Sequence, residues 1–142
     1  DLASAEMGGV ALSATDDFFA EKERLLLPGR GVFLPDEFTE RGKWMDGWES
    51  RRKRGAGHDT CVVRLGVPGA IRALDIDTNH FLGNHPPFAS LEATRIEGAD
   101  DEAALARAHW VEVLPQSPLR PGSQNLFAVL VGESFTHVRL HI

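Results

Sequence analysis

Residues 135–142 read FTHVRLHI, and their side chains alternate between apolar and polar at nearly every step. Successive side chains of an extended strand point to opposite faces, so this stretch divides into two sets. One face carries Val138, Leu140 and Ile142, and the other carries His137, Arg139 and His141. A period of two predicts a strand that buries one face and presents its polar stripe to solvent.

Two further segments repeat this pattern, AIRALDIDT at residues 70–78 and FASLEATRI at residues 88–96. Strand alternation predicts that their apolar positions join Val138 and Leu140 in the core: Leu74, Ile76 and Leu91. The same alternation predicts that the polar positions join His137 and Arg139 on the exposed side: Asp75, Asp77 and Glu92.

The rest of the chain favours many short strands over long helices. CVVRLG at residues 61–66 and NLFAVLV at residues 125–131 are apolar enough for fully buried strands. The 14 glycines and 8 prolines are spread along the chain, as in folds built from strands and turns. Residues 100–108, DDEAALARA, indicate a helix, and residues 14–26, ATDDFFAEKERLL, could hold a turn of helix. We therefore predict an all-β antiparallel sandwich, a jelly roll, with a mixed α+β domain as the alternative.

Composition limits the class of protein. A chain of 142 residues corresponds to one domain, and its formal charge of −6 argues against a general nucleic-acid binder. The longest apolar run, residues 126–131, is far shorter than a membrane span, and no signal peptide is visible, so we expect a cytoplasmic location. The single cysteine, Cys61, begins an apolar strand and is expected to be buried and unreactive.

Chemistry-bearing residues concentrate in GKWMDGWESRRKRGAGHD, residues 42–59. Most of these side chains are costly to bury unpaired, which places them in a loop. The cations at residues 51–54 form a local anion trap, and a planar guanidinium can hold a carboxylate through two hydrogen bonds. His58 and Asp59 could form an acid/base pair, or His58 could simply cap the following strand. A solvated loop is the alternative for the whole segment.

A second polar cluster lies at the end of the strand at residues 70–78 and in the turn after it. Asp75 and Asp77 share one face, and His80 and Asn84 lie beyond them around a glycine turn. This set is compatible with a divalent metal, and equally with carboxylates that accept hydrogen bonds from the NH groups of a polar ligand. A solvated strand end is the third interpretation.

The two clusters together resemble a known family. The segments GKWMDGWESRRKR, GHD and VVRLGVPGAIRALDIDTNHFLGNHPPFASLEATR are similar to the N-terminal repeat of allantoicase (allantoate amidinohydrolase), and the resemblance covers essentially the whole chain. Thr60 stands where that family usually has tryptophan. Because the chain starts with Asp and ends within a strand, we expect residues 1–142 to be a single repeat of a longer chain.

The resemblance implies a jelly roll of the galactose-binding-like type, with two repeats in each chain and a homo-oligomeric assembly. It implies hydrolysis of allantoate to ureidoglycolate and urea, a step of purine breakdown. It does not decide whether a divalent metal takes part. It also leaves two other interpretations: a non-catalytic module that binds a small polar ligand, and a structural repeat whose partner carries the active site.

Allantoate has one carboxylate and two ureido arms on one carbon, and the candidate residues suit it. We expect Arg51 or Arg52 to bind the carboxylate. We expect the NH groups of the ureido arms to meet Glu49, Asp75, Asp77 and Asn84. His58, oriented by Asp59, is the first candidate for acid/base work, with His80 second. A hairpin turning at residues 67–69 would bring both clusters to a single cleft.

Overall fold

The computed structural model describes residues 1–98 and 100–142, and in them the chain forms nine strands and one α-helix. The strands are β1 (Val10–Ala14), β2 (Phe38–Thr39), β3 (Gly42–Lys43), β4 (Thr60–Ala70), β5 (Ala73–Asp77), β6 (Phe88–Thr94), β7 (Val111–Pro118), β8 (Gln124–Ala128) and β9 (Ser134–His141). The helix α1 spans Glu102–Arg107, and 3-10 turns span Ala5–Met7 and Lys22–Leu26.

The strands form an antiparallel sandwich. One sheet has five strands in the order β1-β4-β9-β6-β7, β5 pairs with β8, and β2 pairs with β3. Leu74 and Ile76 from β5 and Phe127 from β8 pack against the core of the five-stranded sheet. The all-β sandwich predicted from the period-two segments is confirmed.

Most of the predicted strand faces are confirmed. Leu91, Val138 and Leu140 are each at most 7% exposed, and Leu74 and Ile76 pack on the same core. The opposite faces are more open, because the carboxyl and guanidinium groups there keep part of their hydration. Asp75 is exposed, and three others are half-buried: Asp77, Glu92 and Arg139.

His137 is the exception, and its predicted exposure is wrong. The residue is 2% exposed although it lies on the polar stripe of β9. Nε2 lies 3.3 Å from Oδ2 of Asp100, and Nδ1 lies 2.8 Å from Oγ1 of Thr136. Asp100, just before α1, therefore packs over the outer face of the sheet, and period-two alternation carries no information about what covers that face.

The prediction of a fully buried strand at residues 125–131 is also wrong. Leu126 is 71% exposed, whereas Asn125 is 4% exposed and its amide donates to the backbone oxygen of Ile76 over 2.9 Å. β8 belongs to a two-stranded sheet that packs on only one side, so alternate side chains point to solvent.

The expected hairpin between residues 61–66 and 70–77 does not form. β4 continues through residues 67–69, pairs with β1 and β9, and leaves β5 to the other sheet. The register between β4 and β9 shifts in this stretch, between Arg64 and Gly69. A Cβ on Gly66 would lie 2.1 Å from the backbone oxygen of Met7, so Gly66 permits close backbone approach instead of a turn.

The predicted position of the helix and the predicted burial of the cysteine are confirmed. α1 lies within the expected residues 100–108, and the carboxylate of Asp101 accepts the Ala104 amide over 2.8 Å as an N-cap. Cys61 is fully buried, and this burial raises its pKa to about 12. Across residues 1–98 and 100–142, no helix combines the length and the apolar character that crossing a bilayer requires.

Candidate active site

Several polar and charged side chains line a cavity of about 980 Å³, which we call the histidine cavity. His58, His85 and His141 line it together with Glu49, Asn84 and Glu92. Trp48 forms part of its wall and is fixed by a hydrogen bond of 2.8 Å from its indole Nε1 to the backbone oxygen of Asp16. The cavity volume is within the range of small-molecule sites.

A chain of hydrogen bonds leads from this cavity into the sheet. Nε2 of His58 lies 2.9 Å from Nδ1 of His141, and Nε2 of His141 lies 2.9 Å from Oε2 of Glu92. Arg139 donates to the same carboxylate oxygen from Nε over 2.8 Å and from Nη2 over 2.6 Å. The guanidinium of Arg139 stacks 4.4 Å from the ring centroid of Trp110. Four side chains therefore hold one another in a fixed order.

The carboxylate end of this chain determines where the protons lie. Ionised Glu92 can only accept, so in the neutral form of His141 the proton lies on Nε2 and Nδ1 is left as an acceptor. His58 then donates from Nε2, which leaves its Nδ1 with a free lone pair. Burial favours the neutral acid and would raise the pKa of Glu92, but hydrogen bonds from Arg139 and His141 outweigh it and hold that pKa below its usual range.

Asp59 lies in the same cavity wall but does not orient His58, contrary to the expected pairing. It is 5% exposed, and Oδ1 accepts from the hydroxyl of Thr15 over 2.7 Å and from Nζ of Lys53 over 2.9 Å. Burial opposes ionisation, yet the Lys53 and Thr15 hydrogen bonds prevail and lower the pKa of Asp59. Asp59 thus ties the cationic loop to the start of β4.

The remaining residues of the loop at positions 42–59 divide into paired and unpaired groups. Backbone bonds to Ala20 hold Glu49 in place, and its Oε1 accepts from the amide of Asn84 over 2.7 Å. Nε of Arg51 donates to Asp16 over 2.7 Å. Arg52 also lines the cavity and makes no hydrogen bond or ion pair within the described parts of the chain, so its guanidinium is available to an anion.

Asp75 and Asp77 of the second predicted cluster line a different cavity, of about 660 Å³, whereas Asn84 lines the histidine cavity. Asp75 accepts from Nε2 of Gln124 over 2.7 Å. Asp77 binds Arg30 through two hydrogen bonds of 2.8 and 3.0 Å, which lower the pKa of Asp77 against the opposing effect of burial. His80 is exposed, adopts a φ of 67°, stacks 5.3 Å from Phe33 and borders neither cavity.

The predicted single cleft is therefore two adjoining cavities that share four wall residues: Trp48, Phe81, Pro86 and Ile142. The hairpin that would have joined the clusters is absent, which explains the division. In the residues that the structure describes, no group of three or more His, Cys, Asp or Glu side chains is arranged to hold a metal ion. Asp75 and Asp77 are instead occupied by Gln124 and Arg30.

The histidine cavity also contains Glu92, His85 and His141, which were not among the candidates from the sequence. His141 and Glu92 belong to polar stripes that were assigned to solvent, and His85 follows Asn84 in the turn before β6. The signal was present in β6 and β9, because Glu92 lies opposite Arg139 in their antiparallel register. Two charges of opposite sign at facing positions of neighbouring strands indicate a cross-strand ion pair.

Comparison with known proteins decides the family. A family model described as the allantoicase repeat matches residues 1–142, the whole chain. The chain belongs to the allantoicase repeat family.

Curated relatives agree with this assignment. The allantoicase repeat is 47% identical over its whole length to "Probable allantoicase 1" of Burkholderia mallei, and 42% identical to a probable allantoicase of Ralstonia nicotianae. In each case it spans 41% of the relative, about two fifths of the length.

Solved structures support the fold. The whole repeat superposes on the crystal structure of the allantoicase of Saccharomyces cerevisiae, with a TM-score of 0.82 and 32% sequence identity. The superposition covers 43% of the yeast chain. The repeat also matches CBM32-3 from a family 31 glycoside hydrolase of Clostridium perfringens, at a TM-score of 0.62 and 14% identity. That second likeness concerns the fold alone and supports the galactose-binding-like jelly roll.

The carboxylates of the allantoicase repeat predict how its stability depends on pH. Asp59 and Glu92 have lowered folded-state pKa values, so their contribution is complete above the unfolded values of about 4 and is lost as pH falls through the folded values. We expect guanidinium midpoints to decrease below about pH 4, and to decrease less in Asp59→Asn. An equally steep acid decrease in that variant would contradict the role of Asp59.

Proposed function

We propose that the histidine cavity is the site at which the longer protein hydrolyses allantoate to ureidoglycolate and urea. One observation carries the proposal: a fixed His58–His141–Glu92–Arg139 chain ends at this cavity, in a member of the allantoicase repeat family. The repeat covers two fifths of its curated relatives, so the activity belongs to the longer chain. We propose that the longer protein carries a second repeat, forms homo-oligomers and works in the cytoplasm.

The reaction needs two proton transfers next to the central carbon of allantoate, one to the leaving nitrogen and one from the attacking water. The bond between the central carbon of allantoate and one ureido nitrogen breaks, and its electron pair leaves with the nitrogen. That nitrogen takes a proton to become urea, while a water oxygen bonds to the carbon and loses a proton. One group that accepts the water proton and passes it to the leaving nitrogen balances the reaction.

His58 fits this role through its free Nδ1. The ring is held from the other side, where Nε2 donates to His141. Glu92 stabilises positive charge on either imidazole as the proton arrives, since its carboxylate stays ionised between Arg139 and His141. His141 and Glu92 are positioning residues in this proposal.

Substrate binding uses the neighbouring groups of the cavity wall. Arg52, whose guanidinium is unoccupied, binds the carboxylate of allantoate in preference to Arg51, which Asp16 already holds. Glu49 and Asn84 accept from and donate to a ureido arm, after exchanging their mutual hydrogen bond for the substrate. Asp75, Asp77 and His80 have no part in this arrangement, because they do not line the histidine cavity.

The decisive experiment measures urea release from allantoate by the full-length protein, with calorimetry for allantoate binding. We expect release, and loss of it in variants of the histidine cavity. Binding without urea release would indicate the non-catalytic module. Full turnover in cavity variants would place the active site in the other part of the protein.

A further inference from the structure

His85 lines the histidine cavity but has no role in the mechanism proposed above. It lies between Asn84 and the Pro86–Pro87 pair, is half-buried, and lines the cavity wall. Within the described residues, its Nδ1 is the one buried side-chain polar atom without a hydrogen-bond partner. Nε2 makes no hydrogen bond either, but it is not among the buried atoms, so it is the ring nitrogen that a ligand can reach.

The unequal environments of the two nitrogens select a tautomer. A neutral imidazole carries its proton on one nitrogen and a bare lone pair on the other. Buried N–H donors without partners are rarer in folded proteins than acceptors in the same situation. The neutral ring of His85 therefore keeps its proton on Nε2, where water or a ligand can accept the hydrogen bond.

We propose that His85 is a further substrate-contacting residue, whose Nε2–H donates to a carbonyl oxygen of the ligand in the histidine cavity. This inference rests on the proposed function for the identity of the ligand. Allantoate offers a carbonyl oxygen on each ureido arm. As the carbon–nitrogen bond breaks, electron density moves onto the leaving ureido group, and a donor at its oxygen stabilises that charge.

The backbone next to His85 is restricted in conformation. His85 is followed by two prolines, each with a restricted φ, and Pro86 borders both cavities. Its neighbour Asn84 donates to Glu49 on the same wall. A ureido arm that replaces this Asn84–Glu49 contact would place its carbonyl oxygen near the next residue, His85.

The tautomer is tested by ¹⁵N NMR of the histidine-labelled full-length protein at about pH 8.5, where imidazoles are largely neutral. We expect the His85 resonances, identified by their absence in His85→Gln, to report Nε2–H and a bare Nδ1. A shift of Nε2 on adding allantoate supports the contact. An Nδ1–H tautomer, or no response to saturating allantoate, overturns the proposal.

Two variants test the consequence for the reaction. Glutamine can place an amide N–H near the position of Nε2, whereas asparagine reaches only the position of Nδ1. We expect His85→Asn to lower kcat about 100-fold and His85→Gln to remain within about tenfold of wild type. Equal activities of the two variants, with equal thermal midpoints, would refute the donor role.

The same measurements distinguish failure of the proposed function from failure of the inference about His85. If the wild-type full-length protein neither binds allantoate nor releases urea, the proposed function has failed and the identity of the ligand fails with it. If the wild type is active and His85→Asn is as active, only the inference about His85 has failed.

Discussion

Replacing His58 with alanine in the full-length protein is expected to lower the turnover of allantoate about 100-fold or more. The imidazole is held at Nε2 by His141, which leaves its Nδ1 as the atom that exchanges protons with water and with the leaving nitrogen. Removing it leaves water to exchange protons directly with the leaving nitrogen. The measurement is the initial rate of urea release at saturating allantoate, with KM expected to change less than kcat.

The matched control is His80→Ala. His80 is the other histidine predicted for acid/base work, but it is exposed, stacks on Phe33 and borders neither cavity. We expect its turnover to equal that of the wild type within about twofold. Unchanged turnover in His58→Ala would remove His58 from the mechanism, and a 100-fold loss in His80→Ala would contradict the placement of His80 outside the site.

The same assay tests whether Glu92 positions the two histidines. Glu92→Gln keeps the shape of the side chain but can no longer fix the tautomer of His141, because an amide can donate as well as accept. Its pH–rate profile should therefore shift relative to that of the wild type, which a purely structural role of Glu92 would not produce.

The second large effect concerns stability. Phe135→Ala is expected to lower the free energy of unfolding by about 3–5 kcal/mol. Phe135 is 2% exposed and, with Cys61, is one of the two largest fully buried side chains of the described residues. It lies in β9 at the centre of the five-stranded sheet, so its removal leaves a cavity that neighbouring strands cannot close.

Guanidinium unfolding of the full-length protein, followed by tryptophan fluorescence, measures this loss. The control is Phe38→Ala, since Phe38 is 69% exposed on the β2–β3 hairpin and its loss should cost less than about 1 kcal/mol. Similar losses in both variants would show that burial in the core of β9 does not dominate the stability of this repeat.

Sequence periodicity was sufficient for the strand content and for most of the faces. FTHVRLHI forms β9, its apolar residues Val138 and Leu140 are buried, and α1 lies where the alanine-rich stretch predicted it. These are local properties, because the direction of a side chain along a strand depends only on its position in the pleat. The linear motif at residues 42–59 was likewise enough to locate the wall of a polar cavity.

Only the tertiary structure decided which side chains form hydrogen bonds with each other. His58 and Asp59 are adjacent in sequence, yet His58 bonds to His141, 83 positions away, and Asp59 to Thr15, 44 positions away. The burial of His137 depends on Asp100, and the separation of the two carboxylate clusters depends on β4 continuing past Gly66. Periodicity reports which face a residue occupies but not which strand or loop lies opposite, because pairing and layering join residues distant in the chain. The hydrogen-bonded chain of the candidate site therefore exists only where β4, β6 and β9 meet.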